Sequence, residues 1–355
     1  MKRVKFDLKN ADFFAEIKEK VENYFRSNKI YRSGNYKIYI KSILFILTLL
    51  LSYSAILFFA VPIGVLVCLY ILLGVVFAGI GFNVMHDGGH GSYSSKNWLN
   101  KTAGYSLNLM GGNIFLWKVK HNYNHHTYTN IKGMDDDIDI DPWMRTHLTQ
   151  PKHWYHRYQH IYALGLYGLT HFNWVFVSDF KSYFSKKIGS TKLPNMNLKE
   201  HFIFWIGKAV FFSLLLIIPI VQIGFWKAIM GFTIMSFICG CILGTTFQLA
   251  HLVEDTEFPL PSENSNKIEK NWALHQIATT ANFATKNKFI FWFTGGLNFQ
   301  VVHHLFPRLS HIHYPEINKL IRDTCCKYSI IYTEYSGFWR ALHSHFLFLK
   351  HAGSH

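Results

Sequence analysis

From Ser42 to Met85 the chain runs 44 residues without a single Lys, Arg, Asp or Glu. One helical bilayer crossing takes about 20 apolar residues, so the run is long enough for two. The stretch "AVPIG" at 60–64 places Pro62 and Gly64 near its middle, where they suit a turn. A hairpin is expected, with crossings at 42–60 and 63–85. A second apolar block spans 202–250 and is broken by "IPIVQIGFWK" at 218–227, which predicts a second hairpin at 203–221 and 226–250. Lys208, early in the third crossing, either snorkels to the headgroups or faces a polar cavity. Charged residues make up only 16% of the chain, against roughly 25% in an ordinary soluble domain. The expected fold class is all-α: an integral membrane four-helix domain over 42–350, with a helical cap. A basic, amphipathic segment, 1–41, precedes it.

The net charge is +15. Nucleic-acid modules carry basic stripes on polar elements, and none appears, so the balance points to a membrane surface. The first 41 residues hold 11 Lys or Arg against 5 acids, while the turns near 62 and 222 are almost uncharged. The tendency of basic residues to stay inside therefore places both termini and the cap in the cytoplasm. The start, "MKRVKFDLKNADFFAEIKEK", has no apolar core and is not a signal peptide. Five cysteines, none in a CxxC pair, suggest neither a disulfide framework nor a thiolate metal site. The segment 161–178 is apolar but carries His171 and Asn173, and is expected to lie in the membrane interface. A fifth crossing there would put the histidine clusters described next on opposite faces of the bilayer.

Those clusters are "HDGGH" at 86–90, "HNYNHH" at 121–126 and "QVVHH" at 300–304. His86 and His90 are four apart, as are His121 and His125, which on a helix puts each pair on one face. His126 adjoins the second pair, and Gln300 stands one turn before His303 and His304. The two glycines of the first cluster let the helix end loosen or pack close to a neighbour. Neutral imidazole is a ligand for iron, copper, zinc or nickel. Seven histidines exceed what one tetrahedral ion needs, whereas two ions of higher coordination number would use them all. His251, closing the fourth crossing, brings the imidazoles to eight.

As a set, the three clusters resemble the HX3-4H, HX2-3HH and H/QX2-3HH signature of the membrane fatty acid desaturases. The resemblance covers about 40–350, through "NVMHDGGHGSYS", "WKVKHNYNHHTYTNIKGMDDD" and "GGLNFQVVHHLFPRLSHIHYPEI". The leading Gln300 is similar to the front-end subgroup, which acts on the carboxyl side of an existing double bond. The resemblance implies a non-haem di-iron centre, two Fe ions, ligated by His86, His90, His121, His125, His126, His251, His303 and His304. Gln300 occupies the position of a ninth ligand. An amide oxygen is a weaker donor than imidazole, so Gln300 binds one iron weakly, acts through water, or orients a neighbour. Asn298, Gln248 and Asp87 are candidates for fixing imidazole tautomers from behind, and His275 is a further candidate that the pattern does not require.

The implied activity is O2-dependent introduction of a cis double bond into a fatty acyl chain carried on CoA or lipid. An apolar channel among the crossings would hold the chain. Lys118, Lys120, Arg145, Lys152 and Arg157, near the second cluster, either meet the carrier's headgroup or belong to the basic belt along the membrane. The acidic run at 135–141 lacks the Gly and closing Glu of a calcium loop and is expected to cap a loop or pair with basic groups. Two electrons per turnover would come from an external donor, ferredoxin or free cytochrome b5, since no HPGG haem motif occurs. A lipid hydroxylase or mono-oxygenase would use the same site. A histidine-based metal transporter would need polar residues through the membrane centre, and the apolar blocks hold almost none.

Overall fold

The computed structural model describes residues 4–9, 11–262 and 264–354. The first helix, α1 (Ala11–Asn28), repeats an apolar residue every fourth position: Phe13, Ile17, Val21 and Phe25 are all buried. This stripe packs against Val301, Val302 and Leu305, and against Ile317 and Ile321 further on. Each buried side chain contributes roughly 1.5–3 kcal/mol. The apolar face of α1 thus fastens this helix to the cap.

Among the described residues, four helices are long and apolar enough to cross a membrane. They are α2 (Tyr36–Phe58), α3 (Ile63–His90), α7 (Leu198–Ile223) and α8 (Phe225–His251). Asn35 starts α2, its side chain accepting from the Lys37 backbone N–H. A tight turn after Phe58 leads into α3, with Pro62 at its N-cap. Between α7 and α8 the reversal is made at Gly224 alone, whose φ of 89° favours glycine. Within the bundle Gly74 of α3 lies against α8, where a Cβ would stand 2.6 Å from the Met235 carbonyl oxygen. Such small residues let helix backbones approach closely in a membrane. Side chains such as Leu44, Leu47, Leu51 and Phe58 face outward, as a lipid-facing surface requires.

Two boundaries differ from expectation. The first crossing begins at Tyr36 rather than 42 and so contains Lys41. The charge is accommodated because Lys41 Nζ donates to Asn83 Oδ1 at 2.5 Å and to the Trp292 carbonyl at 2.7 Å, with His311 Nε2 3.1 Å away. The second crossing continues to His90, so the first histidine cluster is the helix's own last turn.

The remaining elements include α4 (Asn97–Leu109), α5 (114–128), α6 (159–185), α9 (Trp272–Ala278), α10 (Gln300–Leu305), α11 (Tyr314–Lys327) and α12 (Phe338–Ser354). Apart from α6, which packs along α8, they gather beyond one end of the bundle, where α2 and α7 begin and α3 and α8 finish. Among the described residues, three short two-stranded pairs tie loops together. α6 runs along α8: a Cβ on Gly240 would stand 2.6 Å from the Gly168 carbonyl oxygen. Lys208 neither snorkels nor lines a cavity. It is buried and bonded to Asp179 at 2.9 Å and to the Gly111 carbonyl at 2.6 Å, fastening α7 to the end of α6.

Candidate metal centre

Local winding prepares each histidine cluster. Before His86 the helix widens into a π-helical turn, Gly81–Met85, in which the His86 N–H bonds back to the Gly81 carbonyl. The helix then ends at Gly91, which has φ of 76°. The glycines of "HDGGH" permit close packing rather than loosening. A Cβ on Gly88 would stand 2.5 Å from the Gly104 nitrogen of α4, and one on Gly89 would collide with the Trp117 ring. α5 is started by Asn113, whose Oδ1 accepts from the Phe115 and Leu116 N–H groups. It is π-helical over Lys118–His125, and the His126 N–H bonds to the His121 carbonyl. On an α-helix His126 would sit about 100° beyond His125 and leave the shared face. The wider turn sets His126 one turn above His121 and keeps His125 beside it.

The structure brings together all eight histidines from α3, α5, α8 and α10. His86, His90, His121 and His303 form one set, with ligating atoms all within 4.8 Å of one another; His125, His251 and His304 form a second by the same measure. His126 belongs to neither but packs between them, its ring centroid 4.6 Å from His303 and 4.5 Å from His304. Trp117 stacks on His121 at 4.6 Å, and Phe247 lies 4.9 Å from His125. All eight rings are buried.

What the ring nitrogens do distinguishes this from a packed aromatic core. The Nε2 atoms of His86, His90, His125, His251, His303 and His304, and Nδ1 of His126, are buried with no hydrogen-bond partner. Orphaned buried nitrogens on this scale are costly, and metal coordination would satisfy them together. The far sides of the rings are held. His121 Nδ1–H donates to Asp137 at 2.7 Å and His125 Nδ1–H to Asp135 at 2.9 Å. His304 Nδ1–H donates to Gln276 Oε1 at 2.7 Å and His251 Nδ1–H to the Thr279 carbonyl at 3.3 Å. The Tyr314 hydroxyl lies 3.2 Å from His303 Nδ1. These bonds leave the other nitrogen of His125, His251, His303 and His304 without a partner and aimed inward, while His121 Nε2 lies 3.3 Å from His126 Nε2.

The electrostatics agree. Burial pushes the Asp137 carboxyl up, but Lys120, 2.9 Å away, and His121 pull it well below the usual carboxylate value. Burial likewise opposes ionisation of Asp135, and His125 reverses the effect. Burial, reinforced by neighbouring imidazoles, holds His126, His303 and His304 well below the ordinary histidine value. They are therefore neutral, the form that binds metal.

Other residues singled out in the sequence stand elsewhere. Asp87 does not hold a clustered histidine: its carboxylate accepts from His311 Nδ1–H at 3.0 Å and from Ser310. The Asn298 amide donates to the Phe283 and Ala284 carbonyls and fastens a loop. Gln248 is buried one turn before His251, its Oε1 without a partner. Gln300 is buried with neither amide atom paired. His275 packs against Phe6 and joins neither set. Arg145 is not available to a headgroup, because it is buried and donates to the carbonyls of Leu148, Gln150 and Ala352. Lys120 is engaged by Asp137, whereas Lys118 and Arg157 are exposed. Sequence reasoning gave the run containing Asp135 and Asp137 a loop-capping or ion-pairing role, which the Lys120–Asp137 pair bears out, but missed these two, Gln276 and Tyr314 as partners of the histidines. For the two aspartates a signal existed, since an acidic run directly follows the second cluster. Tyr314 lies within the stretch quoted for the third cluster and Gln276 directly follows His275, but nothing in their spacing pairs them with His303 and His304, and only the fold brings them near.

A family model described as fatty acid desaturase matches residues 60–336. The chain is 36% identical to an acyl-lipid (8-3)-desaturase of Physcomitrium patens, over 98% of this chain and 73% of that protein. It is 34% identical to an sn-1 linoleoyl-lipid 6-desaturase of Synechocystis, over 99% of this chain and 98% of the other. An acyl-lipid (8-3)-desaturase of Mortierella alpina is 34% identical over 96% of this chain and 78% of its own length.

Proposed function

This chain belongs to the fatty acid desaturase family, and on that premise we propose that it is a front-end acyl-lipid desaturase with a di-iron centre. The reaction converts a CH2–CH2 unit, O2, two electrons and two protons into a cis CH=CH unit and two waters. One observation carries the reading: two groups of buried imidazoles with their free nitrogens turned inward on each other. His86, His90, His121 and His303 would hold one iron, and His125, His251 and His304 the other, with His126 between them and Gln300 as the remaining donor. When bound, the irons supply the oxidising power that unactivated C–H bonds require and no side-chain acid or base possesses.

The chain's own residues prepare that site. Asp135, Asp137 and Gln276 hold protons on the outward nitrogens of His125, His121 and His304, so each ring presents a lone pair inward. Trp117 and Phe247 wall the cluster with apolar surface and exclude water. The relatives' names, all desaturases, weigh against the hydroxylase reading, and those naming a lipid carrier favour a lipid-linked acyl chain over a CoA ester. The basic balance of 1–41 favours a cap on the cytoplasmic side. There an acidic external donor, a ferredoxin or free cytochrome b5, would be drawn to a surface of net charge +15.

Expression in a host with a simple fatty-acid profile is expected to yield a new unsaturated acyl chain, visible by gas chromatography of the lipid esters. Hydroxylated products alone would overturn the proposal.

A further inference from the structure

The basic residues first considered for a headgroup are partly consumed inside the cap, but another basic site stands open. A cavity of about 620 Å³, open to the surface, lies between the end of α1, the turn after the first histidine cluster and the loop after the third. Its lining includes Arg26, Arg32 and Arg308, contributed by separate stretches of chain, together with Ser95 and Asn97. Glu22 is the only acid among the lining residues and is already paired with Arg32. Arg26 and Arg308 are exposed and make no ion pair with any described residue. The cavity therefore presents two uncompensated guanidinium groups with hydroxyl and amide donors beside them, a set suited to a phosphate ester.

Its depth is marked independently. Tyr31 lines it, Tyr36 and Trp98 flank it along the chain, and the three are 81%, 65% and 62% exposed. Tyr36 is the first residue of a membrane-crossing helix, and exposed Tyr and Trp at such a level form the aromatic belt of a membrane protein. The cavity thus stands at headgroup height. It also adjoins the metal centre through the backbone: Gly91, on its wall, directly follows His90, and Arg308 stands four residues after His304.

We propose that this cavity seats the phosphate-bearing, anionic headgroup of the glycerolipid that carries the acyl chain, held by Arg26 and Arg308. Its identification with the substrate's carrier rests on the desaturase reading. Its affinity for a phosphate ester does not, and the two are tested separately.

The full-length protein is reconstituted in vesicles containing phosphatidylglycerol or, instead, an uncharged galactolipid, and bound lipid is measured by native mass spectrometry. Arg26→Ala with Arg308→Ala should lower phosphatidylglycerol retention roughly tenfold, as expected for two exposed charge-assisted contacts. Galactolipid retention and iron content should be unchanged, and Arg26→Lys with Arg308→Lys should recover most of the loss. In turnover the alanine pair should raise KM for phosphatidylglycerol-borne chains by a similar factor at unchanged kcat. Equal retention in variant and parent overturns the site, and so does equal loss for both lipids. If inorganic phosphate binds in an arginine-dependent way while the lipid does not, the carrier assignment is overturned. If the parent protein desaturates no lipid yet shows arginine-dependent phosphatidylglycerol retention, the cavity stands and the proposed function fails.

Discussion

His125 Nδ1 is 2.9 Å from Asp135 while its Nε2 has no partner, and that division of labour recurs around the cluster. An imidazole has two nitrogens, and a proton fixed on one leaves the other as donor to a metal. Removing an outer partner should therefore weaken the site without removing a ligand. Asp137→Asn is expected to lower iron affinity by roughly 10–100-fold, read as iron retained against a chelator of known strength; an unchanged affinity would separate Asp137 from the centre. Gln300 poses the opposite case, a buried amide with both polar atoms unpaired. Gln300→His should keep its iron, whereas His303→Ala should lose it, by metal analysis of the purified proteins. Equal iron content in these two variants would remove the third cluster from the site.

At the scale of the element, the winding of α3 and α5 matters as much as their composition. Spacing of four suggests α-helical faces, yet "HNYNHH" places three rings on one face only because Lys118–His125 is π-helical. Sequence periodicity does not reveal such a turn, since its cost is met by the contacts it permits. The glycines of "HDGGH" act between elements. Gly89 leaves room for Trp117, which in turn stacks on His121. Gly89→Ala must push that ring aside, and a cost of about 1–3 kcal/mol is expected from overpacking. Thermal melting should show the loss of stability and metal analysis a matching loss of iron. A variant with full iron and parental Tm would show that Trp117 can move freely.

Across the whole molecule, the two hairpins and the cap meet at the metal centre. α3 and α8 supply histidines from the membrane side, α5 and α10 from the cap, and α1 is buried against α10. Metal that binds the folded chain more tightly than the unfolded one stabilises it through mass action. Chelation should therefore lower Tm by roughly 4 °C, from about 2.7 kcal/mol of binding linkage spread over a chain of this size. Amide exchange should rise first in α5 and α10 and least in the middle of α2 and α3. Uniform exchange across the chain would mean that the ions do not join the two layers.

Uncharged runs long enough to cross a bilayer, and histidines at one-turn spacing, are properties of neighbours along the chain. The two hairpins and the eight imidazoles were legible for that reason: lipid excludes charge, and a helix repeats its face every turn or so. What the sequence left open involved residues far apart. Nothing near Lys41 in the chain marks it as a residue of a crossing, because its partners Asn83, Trp292 and His311 are remote. Proximity to motifs suggests roles for Asp87 and Arg145, yet both bond elsewhere. The acidic run pairs with a basic group as expected, through Asp137 and Lys120, but its hold on His121 and His125, like the parts of Gln276 and Tyr314, is not visible in the sequence. A hydrogen bond is decided by ångström-scale distance and angle, and only the packed chain sets those.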